Sequence, residues 1–230
     1  MSAQWMNQPL FGVAVSVIAY SVSLLVHERV RWLHPLFVGA GSLILLLSLA
    51  DIPYEYYEKG GELLTFFLGP ATVALGVPLY KHRERIRFQL LAVLSGISVG
   101  AIAAIVSTGL LVWGLGGSRE AILSAMPKSV SSPIALELSR LTGGNPELSA
   151  TLTVVTGLVG SMLGGAWLKL LGISGELPLG IATGTAAHGI GTAKLLRQSE
   201  SLGSYSGFAM AVNGILTGIM YIPLVWWLNR

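Results

Sequence analysis

Cysteine is absent from this 230-residue sequence, and charged residues are scarce. The absence of cysteine excludes disulfides, thiolate metal sites and cysteine nucleophiles. Only 11% of the residues are charged and 53% are hydrophobic, whereas an ordinary soluble domain carries roughly twice that charge fraction. So apolar a chain has too few polar side chains to cover a soluble surface, which excludes a soluble enzyme. The net charge is only +3, so we expect no nucleic-acid partner. The four histidines lack metal-ligand spacing, so we expect no metal site and no cofactor.

Long apolar runs predict an all-α polytopic membrane protein. A membrane-crossing helix needs about 20 mostly apolar residues. An apolar stretch at Ala121–Leu141 is long enough to cross although it contains Lys128, Glu137 and Arg140. With it we predict about eight membrane-crossing segments in one membrane domain over residues 1–230. The seven stretches without any Asp, Glu, Lys or Arg are Leu10–Val26, Pro35–Ala50, Leu63–Tyr80, Phe88–Ser118, Leu148–Leu168, Leu177–Ala193 and Ser201–Asn229.

Loop charges predict the orientation of the chain in the inner (cytoplasmic) membrane. Basic loops favour the cytoplasm, and the loops at residues 29–31 and 81–87 are basic, whereas residues 51–62 are acidic. Eight alternating crossings then place Arg140 and the Lys194/Arg197 loop in the cytoplasm and both termini on the other side. No basic residue precedes the first apolar run, so we expect that run to be a retained span rather than a signal peptide.

Three predicted spans contain residues that interrupt helices. Irregular backbone inside a bilayer persists only where it is buried in protein or lines an aqueous cavity. We therefore predict at least two broken helices that meet near the bilayer midplane. Paired interrupted segments in a chain are a pointer to a transporter binding site. The alternative is that these residues only permit close helix packing or a harmless kink, which we expect for Gly160, Gly164 and Gly165. The predicted helix-breaking residues are Gly69, Pro70, Pro127, Pro133, Gly184 and Gly191.

Lys128 lies inside the second of these spans. A lysine near the centre of a membrane helix costs about 2.5–3.5 kcal/mol on insertion scales, so such residues pair or face a cavity. One interpretation is snorkelling to the surface, or a structural pair with Glu137 or Glu120. The other is a fixed cation for an anionic substrate, with hydroxyl donors from Ser129 and its neighbours Ser131 and Ser132, and with free amides at a new helix N-terminus.

His188 lies in the middle of the third interrupted span. A lone buried histidine can be a satisfied packing residue. Glycines on both sides, including Gly189, instead favour close backbone approach, and an imidazole suits proton coupling or substrate hydrogen bonding. Thr185 and Thr192 are candidate hydroxyl partners. Asn213 is a candidate third wall of the same cavity, or makes a simple interhelical hydrogen bond.

An intramembrane enzyme is disfavoured. Ser129 beside Lys128 resembles a serine–lysine dyad, but adjacent residues on a helix point about 100° apart, so the lysine is badly placed to act as a base. The spans contain no other carboxylate pair or metal motif. We expect no catalytic residue.

Two segments resemble signatures of the LrgB/CidB family. Residues 127–135 read Pro-Lys-Ser-Val-Ser-Ser-Pro-Ile-Ala and are followed by Gly143-Gly144, and residues 184–193 read Gly-Thr-Ala-Ala-His-Gly-Ile-Gly-Thr-Ala. Residues 74–80 also fit, and the match covers about residues 62–223. One departure is Ala187, where many members have a hydroxyl residue before the histidine. The resemblance implies an LrgB-like core at 62–223, preceded by N-terminal spans at 1–61 that serve as scaffold or dimer contacts.

The family includes bacterial proteins named for antiholin-like control of murein hydrolases, the plastid glycolate/glycerate translocator, and members tied to pyruvate uptake. With the residues, the resemblance predicts a proton-coupled transporter of small monocarboxylates (the glycolate, glycerate, lactate or pyruvate class), working as a homodimer by an elevator-like motion. The alternative is an antiholin-like regulator of murein hydrolase export and cell lysis, acting with an LrgA/CidA-type membrane partner. An open pore ranks last, because no filter-like loop is present. The predicted substrate-binding residues are Lys128, Ser129, Ser132, Thr185, His188, Gly189, Thr192 and Asn213, with His188 also the candidate for proton coupling.

Overall fold

The computed structural model describes residues 5–30, 33–67, 70, 73–74 and 76–228, and this part of the chain is all-helical, as predicted. Gly69 lies outside the described residues, so the break expected at Gly69 and Pro70 stays a prediction. The helices in chain order are α1 (Pro9–Arg29), α2 (Pro35–Leu49), α3 (Tyr54–Phe66), α4 (Gly76–Lys81), α5 (Arg83–Phe88), α6 (Leu90–Gly114), α7 (Arg119–Ala125), α8 (Ser132–Thr142), α9 (Pro146–Leu170), α10 (Glu176–Gln198) and α11 (Glu200–Leu228).

Among the described residues, four helices are long and apolar enough to cross a membrane: α1, α6, α9 and α11. Helix α2 has only 15 residues. The apolar stretch at Ala121–Leu141 divides into the two short helices α7 and α8. Eight complete crossings are therefore not confirmed, although the polytopic helical class is.

The chain forms two compact units, residues 1–74 and residues 75–230. In the first unit, α1 and α3 cross where two glycines meet: a Cβ atom on Gly12 would lie 2.9 Å from the Cα atom of Gly60. The hydroxyls of Ser16 and Tyr57 hydrogen-bond at 3.0 Å across the same pair of helices. Small residues let the two backbones approach closely, and this packing holds the unit together.

The second unit contains the buried core and both predicted signature segments. Among the described residues, an apolar cluster joins α5, α6, α10 and α11, and every member is at most 9% exposed. The cluster consists of Ile86, Val93, Ile97, Leu177, Ile181, Tyr205 and Ala209. It packs the first half of α10 against the beginning of α6 and of α11.

Helix α10 is a hairpin of two half-helices. His188 has φ 39° and ψ −134°, which no helix contains, and the chain reverses there. A Cβ atom on Gly191 would lie 2.6 Å from Cγ2 of Thr183, although residues eight apart in a straight helix are separated by about 12 Å. At the open end, the hydroxyl of Ser201 donates to a carboxylate oxygen of Glu176 at 2.6 Å. A straight helix would hold those two residues more than about 35 Å apart.

The segment from α7 to α8 also leaves and returns at one end of the unit. Ser124, in the last turn of α7, accepts a hydrogen bond of 2.7 Å from the backbone N–H of Asn145, which follows α8. Gly143 ends α8 with φ +82°, a left-handed conformation that glycine adopts without strain. The intervening residues Met126–Ser131 are not helical. Since α8 is about 16 Å long, this non-helical turn lies deep in the unit.

Candidate functional site at the junction of two helix breaks

His188 forms the tip of the α10 hairpin and is held against the middle of α9. Its side chain is 4% exposed. Ring Nε2 lies 2.9 Å from the carbonyl oxygen of Thr153; because a carbonyl only accepts, Nε2 carries a proton. Gly157 makes room for the ring, since a Cβ atom there would lie 2.7 Å from Nε2. Nδ1 forms no hydrogen bond to the described residues and is the ring position at which a proton can bind.

The backbone at His188 is strained, because a non-glycine residue with φ in this range costs on the order of 1–3 kcal/mol. The break falls between Gly184 and Gly191, which are themselves helical. These two glycines permit close approach: a Cβ atom on Gly184 would collide with the carbonyl of Ser206 on α11. Strain of this kind persists only where the surroundings fix it, and it is common at functional sites.

Two prolines bracket the other break. Pro127 is buried in the non-helical turn after α7. Pro133 lies in the first turn of α8, where a proline is compatible with the helix because its missing N–H has no helical partner there. The backbone of the turn is partly satisfied by bonds from Lys128 N to the Ala125 carbonyl and from Val130 N to the Pro127 carbonyl, each 3.2 Å. Ser131 precedes α8 without a side-chain cap.

Asn213 of α11 joins the two breaks. Its amide nitrogen donates to the carbonyl of Ser129 at 2.9 Å and to the carbonyl of Thr185 at 3.1 Å. Both amide hydrogens are thereby used, which fixes which end of the amide is nitrogen. The two carbonyls consequently lie within about 6 Å of each other, the sum of two hydrogen-bond lengths. One side chain thus contacts the tip region of each broken segment.

The junction lies at mid-length of the long helices. Asn213 is near the centre of α11, and Gly157 is near the centre of α9. On α6, a Cβ atom on Gly100 would lie 3.1 Å from Cγ2 of Thr185. The two broken segments therefore approach the middle of the unit from opposite ends.

The oxygen of Asn213 is buried and has no hydrogen-bond partner among the described residues. Asn213 is 1% exposed. An amide oxygen can accept two hydrogen bonds, and buried polar atoms are normally paired. The junction therefore presents an acceptor that a hydroxyl, an acid proton or a water could satisfy.

Lys128 precedes the Ser129 carbonyl at the junction and is half-buried. Within the described part of the chain it forms no ion pair. Glu137 pairs instead with Arg140 at 2.9 Å, and no pair with Glu120 is formed, so the structural pairing considered for Lys128 is wrong.

The other predicted site residues have different roles. The hydroxyl of Thr192 bonds the His188 carbonyl at 2.7 Å and the hydroxyl of Ser206 at 2.8 Å, bracing the hairpin against α11. Thr185 uses its hydroxyl on the Ile181 carbonyl of its own helix, at 2.8 Å, so its contribution to the junction is a backbone carbonyl. Ser132 is half-buried in the first turn of α8, and a Cβ atom on Gly189 would lie 3.8 Å from Sδ of Met210, an ordinary contact distance.

Sequence reasoning missed Thr153 and Ser206. Thr153 holds His188 through its backbone carbonyl, which every residue type possesses, so its identity carries no signal. Ser206 lies seven residues before Asn213 on the same face of α11, and that helical spacing could have identified it. In the described ranges there is no group of three or more His, Asp or Glu side chains that could hold a metal ion.

Comparison with known proteins gives one family match, which spans every residue of the candidate site. A model of the LrgB-like family matches residues 16–228. The chain is 35% identical over 210 residues to the uncharacterized protein YwbG of Bacillus subtilis (strain 168), covering 90% of this chain and 93% of that protein. It is 30% identical over 223 residues to the antiholin-like protein LrgB of Bacillus mycoides (strain KBAB4) and to that of Bacillus cereus (strain B4264), covering 94% of this chain and 97% of each relative. No solved structure matches the chain.

Proposed function

Because the chain belongs to the LrgB-like family of membrane proteins, we propose that it is a secondary transporter of small monocarboxylates of the glycolate, glycerate, lactate or pyruvate class. The substrate binds at the junction of the two helix breaks. The observation that carries this proposal is Asn213, which bonds the carbonyls of Ser129 and Thr185 and keeps an unpartnered buried oxygen. Buried side-chain polar atoms are paired in the large majority of cases, so this oxygen is an acceptor that a substrate donor can use.

The carboxylate end of the substrate binds on the Lys128 side of the junction. Lys128 has no ion pair in the described residues, and α8 begins at Ser132 with free backbone N–H groups, as any helix does. An ammonium and a helix N-terminus both favour an anion. The hydroxyl of a hydroxy acid, or an acid proton, then donates to the oxygen of Asn213.

His188 is the proton-coupling group of the proposal. Nε2 is committed to the Thr153 carbonyl, which orients the ring and leaves Nδ1 free to take up a proton. An imidazole titrates in the physiological range. Protonation at Nδ1 adds a positive charge at the hairpin tip, which favours entry of an anion together with a proton.

Charge distribution suggests the orientation of the second unit. The α10 hairpin begins at Glu176 and ends at Gln198, and we call these two ends the hairpin feet. At the end of the unit where the hairpin feet lie, Lys81 pairs with Glu200 at 2.8 Å. Among the described residues of this unit, seven basic residues lie at that end, and Arg119 and Arg140 lie at the other. By the positive-inside rule the hairpin feet face the cytoplasm. This places Arg140 outside, contrary to the expectation from eight alternating crossings. The seven basic residues are Lys81, Arg83, Arg85, Arg87, Lys169, Lys194 and Arg197.

Uptake into proteoliposomes tests the proposal. Labelled glycolate, glycerate, lactate and pyruvate are offered to purified protein reconstituted with and without an inward proton gradient. We expect at least one of them to be accumulated, and Lys128→Gln to reduce uptake at least tenfold, as removal of a charge-assisted contact does. Lys59→Gln removes one lysine from the first unit and serves as the matched control. Equal uptake by wild type, Lys128→Gln and empty vesicles would refute the proposal.

The second candidate function is the antiholin-like regulator, which is favoured by the names of the LrgB relatives. In this case the chain controls murein hydrolase release by assembling with an LrgA/CidA-type membrane partner, and needs no bound carboxylate. Ligand-induced thermal stabilisation separates the two candidates, because a ligand of the native state raises its apparent stability. A shift with a small carboxylate that disappears in Lys128→Gln supports the transporter. No shift with any carboxylate, together with stable copurification of the partner, supports the regulator.

A further inference from the structure

A cavity separate from the junction lies between α9 and both arms of the α10 hairpin. Its volume is about 300 Å³, at the small end of the range for ligand pockets. Lys169 of α9 and Lys194 of the second hairpin arm both line it, together with the polar residues Ser161, Thr183 and Gln198. The lining residues include no carboxylate. The cavity is therefore positively charged and small.

Lys194 is the deeper of the two cations. Its side chain is half-buried, and its ammonium donates to the backbone carbonyl of Ser161. An ammonium has three N–H donors, so two remain for another partner. No acidic side chain pairs with it among the described residues. A lysine that lines a cavity near the end of a membrane helix can face water there and attract an anion.

The cavity runs from the hairpin feet toward the hairpin tip. Gln198 and Lys169 lie at the ends of their helices and form the mouth. Gly160 and Gly191 line the deep end. A Cβ atom on Gly160 would lie 2.8 Å from Cβ of Ala187, the residue before His188. The cavity thus ends within one helical turn of the tip that carries His188.

We propose that this cavity is a second anion-binding site, a vestibule in which Lys194 and Lys169 hold a small carboxylate on its way between the cytoplasm and the junction. The proposal rests on the proposed transport function for the direction of passage, but the binding itself does not depend on it. The volume admits an anion of two or three carbons with some of its water. Two lysines without a carboxylate partner provide the complementary charge.

Chemical labelling tests the binding without any transport. Purified protein is treated with an amine-methylating reagent with and without glycolate, and modification of each lysine is quantified by mass spectrometry. We expect glycolate to slow modification of Lys194 at least threefold, in the range of a single charge-assisted contact. The same protection is expected in Asn213→Ala, which disables the junction, whereas Lys59 in the first unit is modified at an unchanged rate. Equal rates at Lys194 with and without glycolate would overturn the proposal.

A lipid arm distinguishes the source of the anion. The same labelling is repeated in micelles with phosphatidylglycerol and without glycolate. Protection by glycolate supports the vestibule. Protection by phosphatidylglycerol alone assigns the cavity to a lipid head group and overturns it.

Sided transport then tests the vestibule role. In vesicles of known orientation, Lys194→Gln is expected to raise the half-saturating glycolate concentration about tenfold on the side of the hairpin feet and to leave the other side unchanged. Lys194→Arg keeps the charge and is expected to retain most of the wild-type affinity. Arg87→Gln removes an exposed charge from the same end outside the cavity and controls for the general surface potential. An equal effect of Lys194→Gln on both sides would exclude a vestibule. If glycolate protects Lys194 but the wild-type protein transports nothing, the second anion site is supported and the proposed transport function is wrong.

Discussion

Replacing Asn213 with leucine is the most direct test of the junction. The change keeps the side-chain volume similar and removes both donors, so the buried carbonyls of Ser129 and Thr185 lose their partner. An unpaired buried polar group costs about 1–3 kcal/mol, whereas interhelical hydrogen bonds in membrane proteins average about 0.6 kcal/mol and reach about 1.7 kcal/mol. For two such bonds we expect the free energy of unfolding to fall by about 1–3 kcal/mol.

The transport defect of Asn213→Leu should exceed what lost stability explains, because the two broken segments are no longer held together and the substrate acceptor is gone. Asn145→Ala is the matched control. Asn145 caps α9 by accepting from the N–H of Leu148 at 2.8 Å, and losing such a cap costs about 1 kcal/mol. Unfolding in a denaturing-detergent titration and glycolate uptake per folded protein are measured for both variants. If both lose similar stability and both transport at the wild-type rate, the junction is not the substrate site.

Three further changes test the surrounding geometry. Gly157→Ala places a methyl group 2.7 Å from the His188 ring, so we expect uptake to fall at least tenfold, the effect of about 1.4 kcal/mol. Gly164→Ala is the control, because its methyl group has nothing within 4 Å, and we expect its uptake to be unchanged. Normal uptake by Gly157→Ala would contradict the assigned role of the ring. Gly184→Ala places a methyl group against the Ser206 carbonyl and should destabilise the protein by about 1–3 kcal/mol, as overpacking does. Its melting temperature is compared with that of Gly218→Ala, whose methyl group meets open space. Equal melting temperatures would show that α10 and α11 separate easily. The natural chain has no cysteine, so introduced cysteine pairs can be crosslinked with a short bifunctional maleimide. If α10 is a hairpin, the pair Glu176→Cys and Ser201→Cys is crosslinked, and the pair Glu147→Cys and Ser201→Cys is not. Crosslinking of the second pair alone would mean that α10 is straight.

The family and the helical class were readable from the sequence. Apolar runs of membrane-spanning length predicted helices, because backbone groups in lipid have no other way to be satisfied. The motifs at residues 127–135 and 184–193 predicted the LrgB family, and the family match over residues 16–228 confirms it. Both results depend on local composition and order, which a sequence contains directly.

The path of the chain could not be read in the same way. The glycines around His188 predicted an interruption, but they do not say whether the chain continues or turns back. The reversal is fixed by contacts with distant residues, namely the Thr153 carbonyl and the Glu176–Ser201 hydrogen bond. Counting apolar stretches as complete crossings therefore gave eight spans and placed Arg140 with Lys194.

Small residues show the same limit. Close packing was expected at Gly160, Gly164 and Gly165 alike. Gly160 does pack closely, because a Cβ atom there would meet Ala187, but a Cβ atom on Gly164 or Gly165 would have nothing within 4 Å in this chain, so close packing within the chain is not found at those two positions. Which face of a helix meets a neighbour depends on the arrangement of the whole unit. A glycine pattern alone does not contain that information.

The geometry of the junction restricts how alternating access can occur. One broken segment enters from each end of the unit, and Asn213 of the continuous helix α11 bonds both. Thr192 and Ser206 add a further bond between the α10 hairpin and α11. A motion that separated either segment from α11 would leave buried polar groups unpaired, at about 1–3 kcal/mol each. The two broken segments and α11 are therefore expected to move together as one body, so that access to the junction changes from one side of the membrane to the other without breaking the Asn213 bonds.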